Sequence, residues 1–170
     1  MSAGASIFEK ALSMAALPLQ KKGPFVGNTK RGKATKIMAI ADASGLPVAA
    51  DIQSALAHEV MLVEATIKSR FVEQAPARII ADKAYDSDPL DDRRRKKHGI
   101  ELLAPHKSNR KKPRTQDGMQ LRRYKRRWKV ERLFAWLHNF RRLVVRYEYH
   151  AENFLEMLQL GCIVILLKYF

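Results

Sequence analysis

Two carboxylates far apart in the chain could serve one reaction. Asp82 ends the apolar run RIIAD, and Glu131 lies in YKRRWKVERLFAWLH, residues 124–138. Carboxylates converging from distant segments are what Mg²⁺ or Mn²⁺ requires, because hard ions take oxygen ligands and keep some of their waters. Paired ions about 3.5–4 Å apart can stabilise both oxygens of an in-line phosphodiester displacement. The plainer readings are a turn-forming Asp at a strand end and a solvated ion-pair partner among Arg and Lys. The surrounding chain decides between them.

The spacing around Glu131 predicts a helix over 119–140. At about 100° per residue, Tyr124, Arg127, Glu131 and His138 share an arc of about 60°. Val130, Leu133, Phe134 and Leu137 fall beside them as an apolar stripe facing a core. Asp82 rides a short buried strand over 78–82. Upstream, strands over 37–41 and 46–52 are joined by DASG (Asp42–Gly45) as a β-hairpin, and Pro47 places the return strand at an edge or a strand start. A helix over 54–71 follows, with His58–Glu59 read as its N-terminal feature. Asp88 and Pro89 start a helix over 89–97, and Asp86 is read as a turn residue. Ile100–Ala104 reads as a further strand, 140–148 as a short connection or amphipathic strand, and 151–169 as an apolar terminal helix. Residues 5–16 read as a short helix and 21–36 as a basic loop. This order is α/β, and such folds place their sites at one end of the sheet.

Charge separates the two halves. The 170 residues carry 32 Lys and Arg against 17 Asp and Glu, a formal charge of +15. Twenty of the basic residues lie between Arg93 and Arg146, with only Glu101, Asp117 and Glu131 as acids. Such an imbalance points to a polyanionic partner, nucleic acid before anionic membrane. In the loop KSNRKKPR, the side chains of Lys107, Arg110, Lys111, Lys112 and Arg114 are suited to phosphate, since a loop can follow a backbone. Trp128 borders the polar face and Trp136 lies away from the apolar stripe, and each either packs or stacks on a base. The single cysteine, Cys162, excludes an internal disulfide, and its apolar surroundings make it a buried thiol. No apolar run is long enough to span a bilayer and the N-terminus lacks signal-peptide character, so the reading is cytoplasmic, with no membrane partner.

Four stretches resemble a known family: GNTKRGKATKIMAIADASGLP, SALAHEVMLVE, IIADKAYDSDPL and YKRRWKVERLFAWLHNFRRLVVRYE. They are similar to the C-terminal part of bacterial insertion-sequence transposases of the IS4/IS5 type, which are DDE recombinases. The resemblance implies an α/β fold with a ribonuclease-H-like core, a long catalytic helix and an apolar C-terminal helix. It implies metal-dependent cleavage and transfer of double-stranded DNA at insertion-sequence ends, with Mg²⁺ or Mn²⁺ as cofactor and a homo-oligomer or mixed oligomer as the working form. Asp82 and Glu131 then stand as the second and third acidic metal ligands. Tyr124 and Arg127 support Glu131 and contact DNA. His138 departs from the family's lysine, which implies weaker or pH-dependent DNA contact there.

The resemblance also exposes a gap. The family's first aspartate lies on the first strand of the core, but no Asp or Glu occurs from Ala11 to Gln20. Residues 1–20 are accordingly read as divergent, and 21–170 as an N-terminally truncated DDE domain whose core is incomplete at its first strand. A strand supplied by ALSMAALPL would keep the fold without its chemistry. Asp42 and Asp51, in the turn and on the next strand, are poor substitutes. The leading expectation is an impaired transposase. Its rivals are a non-catalytic DNA-binding remnant and, more distantly, an RNA-binding protein.

Overall fold

The structure, a computed structural model, describes residues 9–15, 22–29, 32–86, 99–108, 110 and 124–169, with residues 9–15, 59 and 60 described through their backbone alone. Its centre is a mixed six-stranded sheet. The strands are β1 (Glu9–Ala15), β2 (Gly27–Thr29), β3 (Gly32–Ala41), β4 (Pro47–Ser54), β5 (Arg78–Ala81) and β6 (Glu101–Leu103). The helices are α1 (Glu59–Lys68), α2 (Trp128–Leu137), α3 (Arg141–Val144) and α4 (Ala151–Leu167). β3 pairs antiparallel with β2, β4 and β1, and β1 then pairs parallel with β5, as β5 does with β6. The α/β class read from the sequence is the one observed.

Both faces of the sheet are covered, which is why its strands are apolar on both sides instead of alternating. Along β3, Ile37, Ala39 and Ala41 join Ile80 beneath α2 and α4, where Val130, Leu133, Phe134, Leu137, Phe154, Leu158 and Ile165 complete the core. Met38 and Ile40 point the other way, with Ile79, Ala81 and Tyr85, against Leu62, Val63 and Ile67 of α1. The predicted stripe on α2 is thus the face that α2 buries. Cys162 is buried in the same core, where burial pushes its thiol up to about 12. Asp42 builds the hairpin turn as read: its Oδ1 accepts from the amides of Ser44 and Leu46, at 2.8 and 2.9 Å, and Gly45 takes φ +84°. β4, which starts at Pro47, forms its ladder with β3.

Several boundaries differ from the reading. Residues 5–16, expected as helix, contain β1, and the sheet expected to lack its first strand has one between β3 and β5. Leu, Met and Ala suit a helix locally, but a strand bonded on both sides reads only as a short apolar run. The basic loop over 21–36 also contains β2 and the start of β3. α1 begins at Glu59, not Ser54, because Ser54 is still laddered to Thr35. It ends at Lys68 because Arg70 bridges to Ala49 and the Phe71 amide donates to Val48 O at 2.7 Å. Among the described residues, α2 is shorter than predicted: a 3₁₀ turn, Lys125–Arg127, precedes it, and Phe140 is extended, while the predicted start over 119–123 lies outside the described residues. The connection over 140–148 holds α3, a single short helix. The helix predicted over 89–97 lies outside the described residues. Among the described residues, no helix is long and apolar enough to cross a membrane.

Candidate active site

Asp82 leaves the C-terminal end of β5 and caps a 3₁₀ turn, Lys83–Tyr85, whose first amide donates to its Oδ1 at 2.6 Å. Tyr85, at the end of that turn, is buried in the α1 face of the core and anchors it. α2 packs over the opposite face, and it and the 3₁₀ turn before it bring three groups to the carboxylate. Tyr124 Oη donates to Asp82 Oδ1 at 3.3 Å, and Arg127 Nη1 donates to Oδ2 at 3.1 Å. The other arm of the same guanidinium, Nη2, meets Glu131 Oε1 at 2.7 Å. One planar fork therefore joins both carboxylates, which holds those two oxygens within about 8 Å of each other.

The cluster is a half-open surface site: the Asp82 side chain is 44% exposed and that of Glu131 52%. The Tyr124 phenol is held above its ordinary range, by burial first and by the negative charge of Asp82 second. Its ring lies 5.4 Å from the Arg127 guanidinium carbon, which adds a cation–π contact to the same group.

Four of the residues singled out in the sequence, Asp82, Tyr124, Arg127 and Glu131, thus meet in space. His138 lies just beyond the other end of α2 and is exposed. Lys107 is exposed too, whereas Arg110 is turned inward onto Asp86. Lys111, Lys112 and Arg114 lie outside the described residues. Asp42 and Asp51 are engaged elsewhere, the first in the hairpin turn and the second with the Ile52 amide and Gln53 Nε2, each at 2.8 Å.

Sequence reasoning missed two groups. The Asp86 cluster gave no local signal, because its partners come from 20 residues onward. The second group did have one: Trp128, Arg132 and Trp136 are spaced i, i+4, i+8. The Arg132 guanidinium lies 4.9 Å from the Trp128 ring and 4.8 Å from the Trp136 ring, while Tyr169 meets Trp136 at 5.6 Å. Arg132 also donates to Ser44 O, and Lys129 to Ala43 O, so this side of α2 grips the hairpin turn.

A metal pair needs more than this cluster offers. Among the described residues, no group of three His, Cys, Asp or Glu side chains is placed to hold a metal. The β1–β5 ladder runs to Leu12↔Ala81, so one further step sets Ser13 level with Asp82. Ser13 also pairs with Ala39, a residue of the face that α2 covers. The register position beside Asp82 on that face is therefore held by a serine. The two carboxylates present are bridged by a guanidinium. These residues do not fit a pair of divalent ions.

A family model described as "Transposase DDE domain" matches residues 16–167. The chain belongs to the DDE transposase family. A relative from Burkholderia cepacia, "Putative transposase for insertion sequence element IS402", is 37% identical over 134 residues. That alignment covers 74% of this transposase chain and 59% of the relative, so the chain spans about three-fifths of the length of the relative it matches. Among solved structures, the catalytic core domain of BIV integrase matches with a TM-score of 0.41 at 15% identity, over 90% of this chain and 80% of that one.

Proposed function

We propose that this chain is the core of an IS4/IS5-type transposase that engages double-stranded DNA at insertion-sequence ends, and that its strand-cleavage and transfer chemistry is disabled at one carboxylate. The sheet is read as a ribonuclease-H-like core over residues 21–170, with the divergent segment 1–20 lending it β1. Asp82 and Glu131 take the places of two metal-ligating acids, and Ser13 takes the place of the third. The single observation that carries the reading is the Ser13 register position beside Asp82, taken together with the absence of any Asp or Glu from Ala11 to Gln20.

The DNA-handling side of the site does not depend on the missing acid. Arg127 and the exposed Lys107 supply cations near Asp82, and the chain adds Lys111, Lys112 and Arg114 in the basic loop and His138 beyond the far end of α2 as further DNA-binding candidates. Arg127 also acts on the acids themselves. With two carboxylates on one fork, it offsets one of their two charges and so weakens the repulsion of phosphate. Such a protein works where DNA lies, in the cytoplasm. It could join full-length transposase in mixed oligomers without contributing cleavage.

The test is nicking of a supercoiled plasmid carrying the element's ends, with Mg²⁺ or Mn²⁺, alongside salt-dependent duplex binding. The chain as it stands should bind DNA and should not nick. Ser13→Asp should restore nicking, and adding Asp82→Asn or Glu131→Gln to it should abolish nicking again. Nicking by the unaltered chain that Asp82→Asn stops would overturn the reading, because the site would then be complete through some other group.

A further inference from the structure

The turn that carries Asp82 ends in a second carboxylate, and that one is the more deeply buried. The Asp86 side chain is 5% exposed. Its Oδ1 meets His106 Nδ1 at 3.0 Å and accepts from Arg110 Nη1 at 3.1 Å, and its Oδ2 accepts from the Lys107 amide at 2.8 Å. Burial alone would raise its pKa. The Lys107 amide, His106 and Arg110 outweigh that, so the carboxyl sits below its usual range and stays ionised. A single turn therefore ties residues 106–110 to Asp82, although the sequence separates them by more than 20 residues.

We propose that Asp86 is a positioning residue for DNA: it turns His106 and Arg110 inward and so presents Lys107 to the duplex beside Asp82. This rests on the DNA-binding reading above. β5 and β6 are parallel neighbours whose last pair is Ile80↔Leu103, so both deliver the chain to the same end of the sheet. From there the segment divides its cations. The side chains of His106 and Arg110 are each 12% exposed, while Lys107 is exposed, on a turn closed by the Arg110 amide to Lys107 O at 3.1 Å.

Electrostatics by itself argues against an acid here. On a surface that binds a polyanion, Asp86 adds a negative charge and engages the guanidinium of Arg110. Its contribution to binding is therefore geometric, and that gives the role a distinctive sign. Asp86→Asn raises the net charge by one. A pure charge effect would tighten DNA binding, whereas loss of positioning weakens it.

The experiment is fluorescence anisotropy of a labelled duplex carrying the element's ends, over a range of salt, with thermal melting of each variant. Asp86→Asn is expected to weaken binding roughly fivefold or more, the scale of coupling within one hydrogen-bonded network. Lys107→Gln is expected to lower the salt slope by about one in the unaltered chain. In the Asp86→Asn background it should change the slope little, because Lys107 is no longer held against the phosphate. If Asp86→Asn does not fold, Arg110→Gln takes its place in the same cycle. Binding by Asp86→Asn as tight as that of the unaltered chain, or independent effects of the two substitutions, would remove this role and leave the DNA-binding reading intact. An unaltered chain that does not bind DNA would remove both.

Discussion

Replacing Arg146 by Met should be among the most damaging single changes in this protein. Arg146 is 2% exposed. Its Nη1 donates to Pro24 O at 2.9 Å and to Thr35 Oγ1 at 2.7 Å. Its Nε donates to Glu148 O and its Nη2 to Tyr149 O, each at 3.0 Å, and its guanidinium lies 5.5 Å from the Phe154 ring. One side chain thus pins the segment before β2, the start of β3 and the approach to α4. Burial, the largest influence on it, pulls its pKa below the usual arginine value, while Glu148 and Glu152 act the other way. Methionine keeps much of the stem but leaves four acceptors without this donor. Hydrogen bonds to charged groups contribute about 1.5–3 kcal/mol each, against which the variant escapes the cost of burying the charge. The net loss is about 3–5 kcal/mol, the range seen when one partner of a buried ionic network is removed. With a urea m-value of about 2 kcal/mol/M, the unfolding midpoint should fall by about 2 M at unchanged m. Arg146→Lys should lose roughly half as much, because an ammonium keeps the charge but cannot reach carbonyls on three sides at once. A midpoint shift below about 0.5 M for Arg146→Met would refute the reasoning, and would mean that desolvation of the guanidinium offsets what its hydrogen bonds contribute.

Three further outcomes follow from the same geometry. Gly45→Ala should cost about 1–2 kcal/mol in a thermal melt, since φ +84° disfavours any Cβ and the new methyl would stand 2.7 Å from Arg132 Nη2; tryptophan emission should shift with it, as Arg132 lies between the two indoles, and a variant with unchanged melting would contradict this. Cys162, with its thiol pushed up to about 12, should resist a disulfide reagent at pH 8 until the protein is unfolded in denaturant, and rapid labelling of the native chain would show that α4 is not docked as described. Asp86 and Glu148 both have pKa values depressed by their partners, so their contribution to stability is full above the ordinary carboxyl range and is lost as pH falls through their lower folded values; acid unfolding of Asp86→Asn should accordingly be flatter below about pH 4, and an unchanged acid profile would count against the clamp.

The residues of the site were legible in different degrees, for physical reasons. On α2, the period of the apolar residues placed Val130, Leu133, Phe134 and Leu137 inside, and so fixed the side that carries Glu131, with Tyr124 and Arg127 on the turn just before it. The hairpin was readable because Asp42 and Gly45 act on their own backbone. The strand before Asp82 was readable because its apolar run is short and bounded. All of these are local: the residues that decide lie within one or two turns of those they shape.

What the sequence could not decide was whatever depended on a distant neighbour. Residues 9–15 carry helix-favouring side chains, yet they form a strand, because β3 and β5 leave a slot whose hydrogen bonds only a strand can satisfy. Nothing within five residues of Arg127 shows that its fork spans Asp82 as well as Glu131. Asp86 does end a turn, as its sequence suggests, but only the strand order shows that His106, Lys107 and Arg110 come against it. The sequence by itself determined which residues could do chemistry and the face of α2 from which they would act. Only the tertiary structure decided which of them meet, because parallel strands bring together segments that no local pattern connects.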